Sequence, residues 1–250
     1  MPFGNLPPLV SSVFSSLAPW LDKRTAARLP LLLSGVLFAR NTRTVTSWRR
    51  AAEITDEFRP ASTTVCAVGR RTNSMATTAL DLVQPLVKSK RLTLGIDDTP
   101  TARYGPFVEG AGIHHHPSPG PAGEKYLYGH NGVVLAALAK HDDRGAIALP
   151  LQAQLSIRAV DSEGLPPERT RPFRTRLELA VAQRDWLKVR GEKRFEERWA
   201  AVDGGYAKRP FLRPARAAGW VVVSRLRKDA HLCDLPPTER RLGQRAAMPT

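Results

Sequence analysis

Apolar residues in the first third of the chain recur at helical spacing. Asp22-Lys-Arg-Thr-Ala-Ala-Arg28 opens one segment, Pro30 marks a helix start, and Leu31 to Phe38 supplies apolar positions three and four apart. Thr44 to Ile54 predicts a short helix with Thr or Ser available as caps, and Thr78 to Leu86 predicts another. Residues 1–88 therefore read as a helical region. Arg49 and Arg50, beside Trp48, suit a DNA backbone or groove, and they suit a plain solvated face as well.

From Arg91 the period changes. Leu92, Leu94 and Ile96 alternate along a strand that ends at Asp97-Asp98. A turn-rich connection from Thr99 to Lys125 follows, with Pro and Gly throughout. Tyr126 to Leu138 and Ala146 to Ile157 are apolar runs divided by Gly145, as a hairpin would be. Arg174 to Val189 has helical spacing through Leu177, Ala180, Val181 and Leu187. Trp199 to Asp203 reads as a strand, Arg209 to Ala218 as a helix and Trp220 to Leu226 as a further strand. The order β-β-β-α-β-α-β over residues 89–232 is that of an α/β, ribonuclease H-like mixed sheet, incomplete at its end, and residues 233–250 form a basic tail. In that arrangement the first and fourth strands lie side by side. Asp98 and Asp203 would then meet although 105 positions separate them.

Composition narrows the partner. At 250 residues with 42% hydrophobic, the chain can bury a real core. Its 38 basic and 23 acidic residues leave a net charge of +15, which favours polyanions, nucleic acid first. No segment combines a clean apolar face with a basic one, so a membrane surface is the weaker reading. The charge is uneven: Arg91 to Asp143 holds four Lys/Arg against six Asp/Glu, while Tyr206 to Thr250 holds ten against three. Acidic metal ligands within a phosphate-attracting chain would look like this, and so would ordinary variation along a chain. Cys66 and Cys233 are too few for a zinc cluster or a disulfide framework, which fits a reducing compartment. The start has no basic n-region, and the apolar stretch Leu29 to Ala39 is too short to cross a bilayer. The expected location is the cytoplasm, at the nucleoid.

Two carboxylates at strand ends suit divalent ions. Phosphodiester cleavage and strand transfer need an activated oxygen nucleophile and a stabilised leaving oxygen, and two Mg²⁺ or Mn²⁺ ions about 4 Å apart serve both. Such ions prefer carboxylate and water oxygens to His or Cys. Asp98 is in phase with Leu92, Leu94 and Ile96, and Asp97 is its alternate as the first ligand; Asp203 is the second. Either Asp could instead be only a turn residue making an Asx-type hydrogen bond. His114-His115-His116, with His130 and His141, reads as an exposed or phosphate-touching loop rather than a zinc site, because consecutive residues cannot all face one ion. Arg225, Arg227 and Lys228 end the last strand and are candidates for phosphate contact.

Four segments together resemble the bacterial insertion-sequence transposases of the DDE class. They are Ile96-Asp-Asp-Thr-Pro-Thr-Ala-Arg-Tyr-Gly105, Glu109-Gly-Ala-Gly-Ile-His-His115, Tyr128-Gly-His-Asn131 and Val202-Asp-Gly-Gly-Tyr-Ala-Lys208. The resemblance implies metal-dependent cleavage at transposon ends and joining to target DNA, with an N-terminal helical region that helps bind DNA. It matches Asp98 to the first catalytic acid and Asp203 to the second, with Lys208 beside it as a phosphate candidate. It also implies a third acid, a Glu on a later helix. The only Glu after Asp203 is Glu239, with 35 residues between, a spacing seen in members that lack a β-rich insertion. The tail around Glu239 has little apolar periodicity to dock a helix. The expectation is a truncated or frameshifted copy without the third acid. Such a copy is either a transposase by descent or a non-catalytic DNA-binding remnant, acting as a homodimer or paired with an intact transposase.

Overall fold

The computed structural model describes residues 7–40, 44–54, 58–105, 107–116, 125–162, 172–191 and 195–225. Arg227, Lys228 and Glu239 lie outside the described residues.

Five helices precede the sheet: α1 (Pro8–Leu17), α2 (Lys23–Phe38), α3 (Val45–Ala51), α4 (Phe58–Gly69) and α5 (Thr72–Val83). The Asp22 side chain caps α2 by accepting from the backbone N–H groups of Arg24 and Thr25, both at 3.0 Å. That cap starts α2 seven residues before Pro30, so Pro30 lies inside the helix rather than at its start. Thr44 caps α3 by accepting from Ser47 N at 3.2 Å, as its sequence suggests. Helices α1 and α4 have no separate signal in the pattern. In α4 the run Ala61-Ser-Thr-Thr-Val65 is rich in β-branched residues, and Thr63 and Thr64 return their hydroxyls to carbonyls four residues back.

The sheet follows: β1 (Arg91–Ala102), β2 (Gly112–His115), β3 (Tyr126–His141), β4 (Gly145–Ser156), β5 (Glu197–Val202) and β6 (Val221–Ser224). Helix α6 (Ala159–Ser162) is a single turn, α7 (Arg176–Gly191) connects β4 to β5, and α8 (Arg209–Ala217) connects β5 to β6. Strand order is β2-β3-β1-β5-β6, with β4 also on β3. The β1–β3, β2–β3 and β3–β4 pairs are antiparallel, whereas β1–β5 and β5–β6 are parallel. This is the mixed α/β, ribonuclease H-like sheet expected, with one addition. Strand β2 and its His114-His115 lie in what reads as a loop, because Gly and Pro on both sides mask a four-residue strand.

Strand β1 also runs further than its apolar alternation suggests. It stays paired to β3 as far as Ala102↔Gly129, while its parallel partner β5 stops at Ile96↔Val202. Beyond Ile96 one edge of β1 is therefore open, which tolerates Pro100 and its missing N–H. Asp98 lies inside the strand, opposite Val133, rather than at the strand's end. On β4 the register slips opposite Leu135/Ala136, next to Pro150, and leaves Leu151 unpaired. Consecutive Leu151 and Gln152 are both buried as a result.

One face of the sheet carries the core. Leu92, Leu94 and Ile96 of β1, Val133, Leu135 and Ala137 of β3, and Ala200 and Val202 of β5 pack with Leu179, Ala180 and Leu187 of α7 and with Phe211 and Ala215 of α8. Leu80 and Val83 of α5 join the same cluster, so the helical region is tied to the sheet by shared apolar burial. Gln183 is fully buried among them and donates to the Val133 carbonyl at 2.8 Å, fastening α7 to β3 at the position opposite Asp98. Among the described residues no helix is long and apolar enough to cross a membrane.

Candidate active site

Asp98 shares a face with Leu92, Leu94 and Ile96 and is only partly exposed, while Asp97 is exposed on the opposite face. Asp97 Oδ1 accepts from Asp98 N at 2.8 Å, which occupies it locally. Alternation along the pleat thus sends Asp98, and not Asp97, over the core-side layer.

Asp203 follows the last residue of β5. Its Oδ1 accepts from the backbone N–H groups of Gly205 (2.9 Å) and Tyr206 (3.2 Å), an Asx turn. The turn reading of this residue is therefore realised, but on one oxygen only. Oδ2 has no partner among the described residues.

Asp98 and Asp203 line one recess of about 230 Å³ together with Thr175, Arg176, Leu177, Gly205, Tyr206 and Lys208. Tyr206 donates its phenol hydroxyl to Asp98 Oδ1, and Arg176 forms an ion pair with Asp98 Oδ2. Burial, and then the hydrogen bond to Asp98, push the Tyr206 hydroxyl far above the usual tyrosine range, so it is a fixed donor. Arg176 is the first residue of α7, whose start is set by a capping box. Thr175 N donates to Glu178 Oε2 at 2.7 Å, and Glu178 N returns to Thr175 Oγ1 at 3.3 Å. The signature Thr175-Arg-Leu-Glu178 was legible in the sequence, but the helix was placed by its apolar spacing alone.

A family model described as DDE superfamily endonuclease matches residues 16–249. The chain belongs to that family. No curated protein matches it. Membership states the chemistry in coarse terms: an endonuclease of transposase type with DNA as its substrate, in a family whose members generally use divalent metals.

The recess offers a hard donor set. Its lining supplies carboxylate oxygens and neither His nor Cys, which suits Mg²⁺ or Mn²⁺ better than Zn²⁺. Among the described residues no group of three or more His, Cys, Asp or Glu could hold a metal ion. Two carboxylates leave the remaining coordination positions to water and phosphate oxygens.

Basic residues surround the recess unequally. Lys208 lines it, and Arg225 follows Ser224, which pairs with Val202, so Arg225 leaves β6 beside the position where Asp203 leaves β5. Arg49 and Arg50 sit on α3 away from the recess; Arg49 donates to the Ile54 carbonyl at 3.3 Å, and Arg50 is exposed. The sequence reading missed Arg176 and also Arg209, Arg213 and Arg216. The last three form an exposed stripe on α8 at spacings of four and three, opposite buried Phe211 and Ala215, with no ion pair among the described residues. Their helical spacing was a usable signal.

The histidines scatter. His115 packs edge-on against Tyr126, His130 is bonded to Arg103 and to the Glu109 carbonyl, and His141 accepts from Asp143 N. The His130 bonds join three of the quoted segments, through Arg103 of the first and Glu109 of the second, and the strand pairs Gly112↔Gly129 and Ile113↔Tyr128 hold the last two together.

Proposed function

We propose that this DDE endonuclease cuts and joins DNA at the ends of an insertion sequence, with Asp98 and Asp203 as the first and second acids of its metal site. The observation that carries the reading is one recess shared by two carboxylates, delivered by adjacent parallel strands and each tethered through its inner oxygen. Asp203 Oδ2, and Asp98 Oδ2 once Arg176 yields it, are the oxygens that would take Mg²⁺ or Mn²⁺. Divalent ions held there would polarise the scissile phosphate and activate the attacking oxygen. Lys208, Arg225 and the α8 arginines would hold flanking phosphates, and the helices of residues 1–88, with Arg49 and Arg50, would extend the DNA contact.

A second reading is a non-catalytic DNA binder that occupies transposon ends or pairs with an intact transposase. It is favoured by the lack, among the described residues, of a third carboxylate in the recess. Glu239 is the sequence's candidate for that role.

An end-containing duplex incubated with the protein and Mg²⁺ or Mn²⁺ separates the two. The first reading expects metal-dependent cleavage that Asp98→Asn and Asp203→Asn each reduce at least about a hundredfold, more than loss of an outer-shell group costs. Tight DNA binding with no cleavage would sink it in favour of the second.

A further inference from the structure

We infer that Tyr206 is a positioning residue that sets the Asp98–Asp203 pair, holding the inner oxygen of both acids so that their outer oxygens face the recess. The inference rests on the metal reading proposed above.

The two acids need such a device. The β1–β5 register ends at Ile96↔Val202, so no ladder hydrogen bond fixes Asp98 against the strand that carries Asp203. An Asp side chain left alone samples several rotamers, and two acids that each do so present no fixed cage. Tyr206 closes this gap with two groups of one residue. Its backbone N–H donates to Asp203 Oδ1 at 3.2 Å, and its phenol donates to Asp98 Oδ1, 108 positions away in sequence.

The strut is itself anchored. Tyr206 is 3% exposed and meets fully buried Phe211 edge to face, with ring centroids 6.3 Å apart at 77°. Core packing, rather than solvent, therefore decides where the hydroxyl sits. A phenylalanine would fill the same space without a buried hydroxyl to satisfy. The hydroxyl is thus a requirement of Asp98, not of the core. Among the described residues the remaining Asp98 oxygen is held by Arg176 alone, whose side chain is 57% exposed and can yield to a stronger cation.

The test is Mn²⁺ affinity, read from the free-ion electron paramagnetic resonance signal during titration of the full chain, with circular dichroism to check folding. Wild type binds, Asp203→Asn loses binding, and Tyr206→Phe weakens it about tenfold or more while the fold is retained. Asp98→Asn, which removes the other proposed ligand, loses binding as Asp203→Asn does. Phe211→Leu keeps the hydroxyl but loosens its anchor, so it gives a milder loss, and it decides the matter should Tyr206→Phe not fold. Wild-type affinity in folded Tyr206→Phe, or unchanged affinity in Phe211→Leu, overturns the positioning role. Failure of the wild type to bind Mn²⁺, or full binding by Asp203→Asn, overturns the metal reading and this inference with it.

Discussion

Arg176 at the start of α7 forms an ion pair with the outer oxygen of Asp98, 78 positions before it in the chain. On the proposed metal reading the guanidinium stands where the ion would approach, and the two would compete for one oxygen. Side chains 57% and 21% exposed make a pair worth about 0.2–1 kcal/mol. Arg176→Ala should therefore tighten Mn²⁺ binding by no more than about fivefold, the equivalent of 1 kcal/mol, while weakening DNA binding. A titration in which the variant binds Mn²⁺ more weakly than wild type would rule out the competition.

The arginine stripe on α8 should act on DNA through phosphate charge alone. Arg209→Ala with Arg213→Ala should weaken binding by a similar factor on related and unrelated duplexes. It should also flatten the salt dependence of log K by about 2, near 0.9 for each lost contact. Fluorescence anisotropy between low and moderate salt measures both, and an unchanged slope would remove α8 from the DNA path.

His114 makes a pH prediction. Burial, and then the neighbouring Arg158 guanidinium, hold its imidazole below the usual histidine range, with Arg176 acting the same way and Asp161 opposing. The folded state thus prefers neutral His114, and the unfolded chain takes up the proton first as pH falls. The stability this contributes is present above about pH 6.5 and is lost progressively below it. Asp161, held below the usual carboxylate range by its hydrogen bond from Arg158, contributes in the same direction at lower pH. Thermal unfolding between pH 7.5 and 5 should show a smaller drop for His114→Asn than for wild type. Parallel curves would show that His114 does not titrate on unfolding.

Gly35 lets α2 and α3 touch. A Cβ built there would lie 2.0 Å from the Trp48 carbonyl oxygen and 2.7 Å from its carbon, both of them backbone atoms that cannot rotate away. Gly35→Ala should cost about 2 kcal/mol as overpacking and lower Tm by about 4–8 °C. Far-UV dichroism melts test this, and an unchanged Tm would mean that the two helices separate freely.

Much of this was legible along the chain. The alternation Leu92, Leu94, Ile96, Asp98 predicted which Asp of the pair shares the core-side face, because pleating alone assigns faces. The order of elements fixed which strands are neighbours. Pro30 misled because a local breaker signal competes with a cap eight residues upstream. Thr99-Pro100 misled because turn residues also suit an open strand edge, and openness depends on where β5 ends. His114-His115 carries no strand signal of its own, because a four-residue strand is held by its partner, β3, rather than by its own propensity.

By itself, the sequence determined the fold class, the family and the pair of aspartates proposed as the acids, since periodicity, element order and short segments are local properties of the chain. Only the tertiary structure decided how those acids are held. Tyr206 meets Asp98 across 108 positions and Arg176 meets it across 78. Such meetings follow from strand register and helix placement, which arise when distant segments bury a common core and which no local pattern records.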